Sequence, residues 1–306
     1  MKKFLVFSLI LLALTHSTAQ AQHKVSDSLV KDLPCNNITS NEIYRRMSPQ
    51  QFSSQYHIPI ANWGVEVRGG LYELGVCWGL SRAQRLFFYL NRWNSDPSIK
   101  GPDTVQILNM LREEGTYAMM LNQESYPRTD YGVLGNLMDG AAFKSGSKNT
   151  HRNFRSEIER YEIERFHKIG KNLKLIIGSG DRSKNANRTT RDQLIRNLQI
   201  NKLTLIIVRA KRRAQHVLLV KHYQKLDNGD IRFSVYDSNY PQQDNFFTYR
   251  QSDSSFYAPN IIYGVVPSKD INDAVGVYIV DEKERDPIES TLVRYYSSLC
   301  RSLKKP

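Results

Sequence analysis

The residues best suited to covalent chemistry lie in Gly75-Val76-Cys77-Trp78-Gly79-Leu80-Ser81, where a glycine-flanked loop delivers Cys77 to the first turn of an apolar helical pattern. The unsatisfied N–H groups and positive dipole end of a helix start stabilise an anion. The thiolate is the nucleophilic form of cysteine, and such N–H groups also receive the oxyanion formed when a thiolate attacks a carbonyl. Gly75 and Gly79 would let a substrate backbone approach. The plainer reading is a buried structural cysteine that opens a helix. A second stretch, Gln215-His216-Val217-Leu218-Leu219-Val220, sets a histidine at the start of an apolar strand. A third, Val235-Tyr236-Asp237-Ser238-Asn239-Tyr240-Pro241, ends a strand in a polar turn. Between them Asp227-Asn228-Gly229-Asp230 is a strong hairpin signal, so the outer ends of the two strands meet and His216 and Asp237 become neighbours. His216 lies eleven residues before Asp227 and Asp237 seven after Asp230, so contact requires a wider loop or a bulge. A carboxylate on one imidazole nitrogen leaves the other to take a thiol proton. Singly, His216 reads as a satisfied sheet histidine and Asp237-Ser238-Asn239 as a turn; the order Cys, His, acid gives the three a common purpose.

The elements that must position these groups follow from periodicity. Leu80, Ala83, Leu86, Phe87, Leu90 and Trp93 fall at three- and four-residue spacing, predicting a helix over 77–93 with one buried face. Helical patterns also cover 41–47 and 49–56, with Ser40 and Ser48 as caps, and 103–120, 154–169 and 190–198. Lys144 to Asn149 reads as a loop, and the chain from 22 to 70 as otherwise irregular. After residue 202 the character changes: 203–210, 216–223, 231–236, 246–249, 261–266 and 274–280 are β-branched or aromatic runs, and 288–303 is a closing helix. Helices first and an antiparallel sheet second predict an α+β fold. The expected organisation is a single domain over 22–306, with a helical lobe over about 40–200, a β lobe over about 202–281 and the final helix.

His222 is the rival base, since strand alternation puts it on the same side as His216. His57, His151 and His167 lack supporting motifs. The acidic pairs Glu113/Glu114 and Glu157/Glu159 read as solvated helix faces. The three cysteines of this 306-residue chain leave one unpaired if the other two are joined; Cys35 and Cys300, near the two ends, are the pair a disulfide could tie, leaving Cys77. Metal binding is not expected, because there is no Cys-x-x-Cys pair and no close Cys/His set, and no cofactor motif is present.

Met1-Lys2-Lys3, the apolar run Phe4 to Leu14 and Ala19-Gln20-Ala21 form the three parts of a secretory signal peptide, residues 1–21, with cleavage after Ala21. The run falls well short of the roughly 20 residues that span a bilayer. The expected destination is the periplasm or the extracellular space, with no transmembrane segment afterwards. At 40% hydrophobic and 24% charged the chain is of globular composition. Its net charge of +13 scatters, with a cluster at Arg209-Ala-Lys211-Arg212-Arg213. Without a nucleic-acid-binding module the charge reads as a solvated basic surface, the functional alternative being attraction to anionic envelope polymers or acidic substrates, so that an envelope-associated substrate is open and nucleic acid is not an expected partner.

Cys-Trp-Gly at a helix start, a downstream His-x-Val strand and Tyr-Asp-x-Asn-x-Pro together resemble the papain-like cysteine peptidase superfamily, most closely its bacterial branch of bacteriocin-processing peptidases. The resemblance spans roughly residues 69–249. It implies a helical lobe whose central helix opens at the nucleophile, here Cys77, and a β lobe bearing the base, His216, and the orienting residue, Asp237, with Asn239 as the alternative third member. It implies a protein or peptide substrate and an acyl-enzyme. Relatives carry a Gln shortly before the Cys to complete the oxyanion hole; this chain has Leu71 there, with Gln55 and Asn62 as upstream amides that could substitute. The same triad also suits a transglutaminase, amidase or deamidase, or survives in degenerate form in a secreted binding module.

Overall fold

Leu205-Ile206-Ile207-Val208 is an unbroken apolar run, the pattern of a strand covered on both faces. It is buried throughout within β5 (Thr204–Arg209), an interior strand of a six-stranded antiparallel sheet. The computed structural model describes residues 35–47, 52–54, 57–58, 61–67, 72–94, 119–122, 158–159, 162, 183–210, 215–241, 243–262, 271–280 and 286–303. The expected leader, most of the helices expected over 49–56, 103–120 and 154–169, the loop at 144–149, and Ser48, Gln55, Leu71, Glu113, Glu114, His151, Glu157 and His167 lie outside them.

In chain order the elements are α1 (Ser40–Arg45), β1 (Gly64–Val67), β2 (Tyr72–Gly75), α2 (Cys77–Leu90), β3 (Asn91–Asn94), β4 (Met119–Asn122), α3 (Lys184–Gln199), β5, β6 (Gln215–Lys225), β7 (Ile231–Tyr236), β8 (Asn245–Arg250), β9 (Ser255–Tyr257), α4 (Pro259–Ile262), β10 (Gly276–Ile279) and α5 (Asp286–Leu303). The large sheet has the order β10-β5-β6-β7-β8-β9. Its outer strands approach each other through an antiparallel bridge between Phe256 and Val275, so the sheet is nearly closed. The fold is α+β, as expected.

Alternation divides the sheet between two cores. Leu205, Ile207, Val217, Leu219 and Tyr236 face a core shared with Val76, Trp78, Leu80, Ala83, Phe88 and Tyr89 of the α2 region and with Leu292 and Tyr296 of α5. Ile206, Val208, Leu218, Val220, Phe233, Val235, Phe247 and Phe256 face a second core, closed by Leu194 and Leu198 of α3. Full burial of each large apolar side chain is worth about 1.5–3 kcal/mol, so α2 is held on the sheet by its own stripe. Polar ties set its height. Ser81 Oγ donates to the Val217 carbonyl at 3.3 Å, Tyr89 Oη accepts from the Leu203 N–H at 2.5 Å and donates to the Asn201 carbonyl at 3.2 Å.

Several local expectations are corrected. The first cap is Thr39, not Ser40: its hydroxyl accepts from the Glu42 N–H. Gly64–Val67 and Tyr72–Gly75 form a hairpin inside the stretch expected to be irregular. The helix from Cys77 stops at Leu90, and Trp93 belongs to β3, because Asn91–Asn94 pairs in parallel with β4; Met119 and Met120, expected helical, are strand for the same reason. Pro259–Ile262 is helical where 261–266 read as a strand, as Pro suits a first helical turn, and β9 supplies the sheet edge instead. Cys35 and Cys300 are disulfide-bonded, tying the approach to α1 to the last turn of α5. Asp32–Pro306 forms one compact unit. Among the described residues no helix is long and apolar enough to cross a membrane.

Candidate active site

Val76 ends the approach from β2, its N–H donating to the Trp63 carbonyl at 3.1 Å, and the chain turns directly into α2. Cys77 is therefore the first helical residue, as expected. It is buried, 8% exposed, and is the one free cysteine. Facing it from the sheet is His216, the second residue of β6, whose strand is fastened to α2 by the Ser81–Val217 bond.

His216 Nε2 lies 2.7 Å from Asp237 Oδ1. A bulge is present, the β6–β7 register shifting by one between Val220 and His222; it closes part of the mismatch, and Asp237 makes the contact from just beyond the end of β7 at Tyr236. That shift also disposes of the rival base, since alternation is broken at Lys221 and His222 is exposed. With Nε2 committed to Asp237, Nδ1 is the nitrogen left for Cys77, which is within hydrogen-bonding reach of the ring. Burial pulls the His216 pKa down. The hydrogen bonds to Asp237 and then Cys77, together with the charges of both, more than offset this and raise it from 6.5 to about 10. The carboxylate and the thiol thus favour the imidazolium over the neutral ring, against the pull of burial.

Asp237 is fully buried. The same Oδ1 accepts the Asn239 N–H at 2.8 Å, closing an Asx turn that fixes the carboxylate relative to its own loop. Asn239, the alternative third member, does not meet the imidazole through any bond: its Oδ1 accepts from Asn62 Nδ2 at 3.1 Å. Asn62 in turn donates its backbone N–H to the Ser238 carbonyl at 2.7 Å. A Cβ added at Gly75 would lie 2.7 Å from Asn62 Nδ2, so the amide occupies the space that the absent side chain leaves, two residues before Cys77. Of the upstream amides, Asn62 is the one brought to the site among the described residues. Asp237 Oδ2, Ser238 Oγ and Asn62 Oδ1 are buried with no hydrogen-bond partner. Such a concentration of unsatisfied polar atoms is unusual away from functional sites.

Two groups that sequence reasoning passed over also adjoin this arrangement. His57 is buried, with Nδ1–H donating to the Pro241 carbonyl at 2.7 Å and Nε2 accepting from Lys221 Nζ at 2.7 Å. Its ring meets Tyr236 edge-on, centroids 5.0 Å apart. Burial, then the charge of Lys221, hold its pKa well below the ordinary value, and burial brings Lys221 down to about 8, against the pull of Asp244. A neutral His57 thus staples the loop after Asp237 to the bulge of β6. No short-range signal marks it, because both partners are distant in the chain. The second group is acidic. Glu159, read as solvated, accepts the Trp63 indole N–H at 2.9 Å. Glu162 is buried, and its Oε2 accepts the Gly79 N–H at 3.0 Å. One N–H of the helix start is therefore already engaged, a correction to the expectation that these groups wait for a thiolate or oxyanion.

Among the described residues no three His, Cys, Asp or Glu side chains are grouped to hold a metal. No family model, curated protein or solved structure matches the chain.

Proposed function

We propose that this protein is an exported papain-like cysteine hydrolase, a peptidase, in which Cys77 is the nucleophile, His216 the acid–base and Asp237 the group that orients His216. The single observation that carries the reading is the buried imidazole held between a carboxylate and the chain's one free thiol, with its basicity raised by both. The Cys35–Cys300 disulfide supports export, since such bonds persist in oxidising compartments.

In this mechanism the Cys77 thiolate attacks the scissile carbonyl, and the carbonyl electrons move onto oxygen. The mechanism assigns the oxyanion to the Cys77 N–H at the helix start and to the amide of Asn62, which lies against Gly75, Asn62 taking the part that Leu71 cannot. Collapse of the adduct breaks the C–N bond while His216 gives its proton to the departing amine, leaving a thioester. Water attacks that thioester, His216 accepts its proton, and the acid departs as the thiolate reforms. Asp237 keeps Nδ1 of the ring turned to sulfur throughout.

The test is labelling of the intact protein with a thiol-directed irreversible inhibitor against the Cys77→Ala form, followed by product analysis on peptide, simple amide and amine-acceptor substrates. Rapid stoichiometric labelling with peptide cleavage is expected. Labelling no faster than a free cysteine would leave a binding module, and amine transfer without cleavage would make the protein a transglutaminase.

The protonation of His216 sets a further expectation. Turnover needs the imidazolium, so kcat/KM should fall on the alkaline side near pH 10. Asp237→Asn removes the leading upward influence, so that limb should move to lower pH while kcat drops. The stability contribution has the same sign: a histidine raised above 6.5 on folding stabilises fully below about 6.5 and loses that contribution as pH rises through about 10. Thermal melts from neutral to alkaline pH should therefore decline less steeply in Asp237→Asn than in the parent. An unmoved alkaline limb would detach His216 from the chemistry.

A further inference from the structure

Backbone packing at Gly79 shows how closely the acidic segment sits on the nucleophile's helix. Ile158 and Glu162 are buried, and a Cβ at Gly79 would collide with the Ile158 carbonyl oxygen. Only glycine lets the two backbones approach this near. The approach delivers Glu162 to the Gly79 N–H, two residues past Cys77, while Glu159 is fixed on Trp63, whose carbonyl receives the Val76 N–H just before Cys77. Two carboxylates thus bracket the start of α2, one buried and one half-buried.

We infer that Glu162 is a positioning residue that restrains ionisation of Cys77, so that the thiolate depends on His216 rather than on the helix start. The inference rests on the hydrolase reading and deepens it. A carboxylate that accepts a first-turn N–H takes a donor that would otherwise favour a thiolate. Its charge also disfavours a second anion nearby, and that effect is strong where water is excluded. The other charged groups around the site are His216 on β6 and Asp237 beyond β7, Arg82 and Arg85 buried on α2 itself, Glu159 beside Trp63, and His57 with Lys221 behind Tyr236. None of these accepts an N–H of the helix's first turn among the bonds described. Glu162 is joined to the backbone that carries the sulfur through the Gly79 N–H.

Removing the charge while keeping the acceptor separates this role from a structural one. Glu162→Gln retains an oxygen for the Gly79 N–H. With Cys35 and Cys300 paired, Cys77 is the chain's only reactive thiol, so ultraviolet thiolate absorbance and the iodoacetamide alkylation rate both report on it. Measured from about pH 4 to about pH 9, Glu162→Gln should show more thiolate on the acid side and alkylation roughly tenfold faster near pH 5, with the same plateau. Glu159→Gln, more exposed, should shift less. Gly79→Ala must displace the Ile158 carbonyl and carry Glu162 away, so it should shift in the same direction and serves if Glu162→Gln does not fold. Superimposable parent and Glu162→Gln profiles, an unshifted Gly79→Ala profile in that event, or an equal shift in Glu159→Gln overturn the inference. His216→Ala separates the two levels. If the parent profile depends on His216 and Glu162→Gln leaves it unchanged, only the role of Glu162 falls; if the parent titrates as a free thiol whatever occupies 216, the hydrolase reading falls with it.

Discussion

Replacing His216 with Ala is expected to lower kcat/KM by about a thousandfold or more, close to the loss from Cys77→Ala, because in the proposed mechanism nucleophile and base act as one unit and their losses do not add. The double variant should be no worse than either single one. Without the imidazole, Cys77 has no partner to hold its ionised form and no proton source for the departing amine. The thiol-labelling rate near neutral pH should collapse in the same variant, which separates loss of nucleophile activation from loss of substrate binding. Steady-state kinetics on a cleaved peptide, alongside labelling rates, measure both. A His216→Ala protein that kept parental turnover would remove the assignment. The fold should survive the change: His216 sits at the end of β6, and the strand is held by Val217, Leu218, Leu219 and Val220 on its two faces.

Loss of the Cys35–Cys300 bond is expected to have the largest effect on stability. The bridge closes a separation of 265 residues. Chain-entropy estimates for a loop of this order give about 5.5 kcal/mol, and native disulfides removed from secreted domains cost about 2–5 kcal/mol. Against the total stability of about 5–15 kcal/mol usual for a folded domain, that is a large fraction. Cys35→Ser/Cys300→Ser, or the parent protein under a reductant, should unfold at a markedly lower denaturant concentration. The consequence reaches the site. The bridge ties the approach to α1 to α5, and Tyr44 of α1, Leu292 and Tyr296 of α5 and the α2 side chains share one core. A reduced protein that melted with the oxidised one would show that packing of α1 against α5 holds without the covalent link.

The elements that carry the candidate site were legible in the sequence because they are written locally. A glycine-flanked Cys before an amphipathic run specifies a helix start, and an apolar run opened by His, then Asp-Asn-Gly-Asp, then Ile231 to Tyr236, specifies a hairpin. Both resolve at short range through periodicity and turn stereochemistry; Gly229 takes the positive φ of 83° that the turn needs. The pairing of Cys35 with Cys300 could be raised from their number and location alone.

What the sequence left open depended on residues that meet only after folding. The slip between Val220 and His222 shifts the outer register by one residue, and Asp237, just past the end of β7, supplies the rest of the approach to His216; where two paired strands slip is decided by their pairing and not by either strand alone. Asn62 over Asn239 reached the site through a hairpin whose apolar residues are too few to announce it. Glu162, one acid among several in a helical pattern, became a buried partner of Gly79 because two backbones packed without an intervening Cβ. Local order is set by near neighbours along the chain and can be read from it. Burial, and with it the state of each charged group around Cys77, is set by whatever the fold brings alongside.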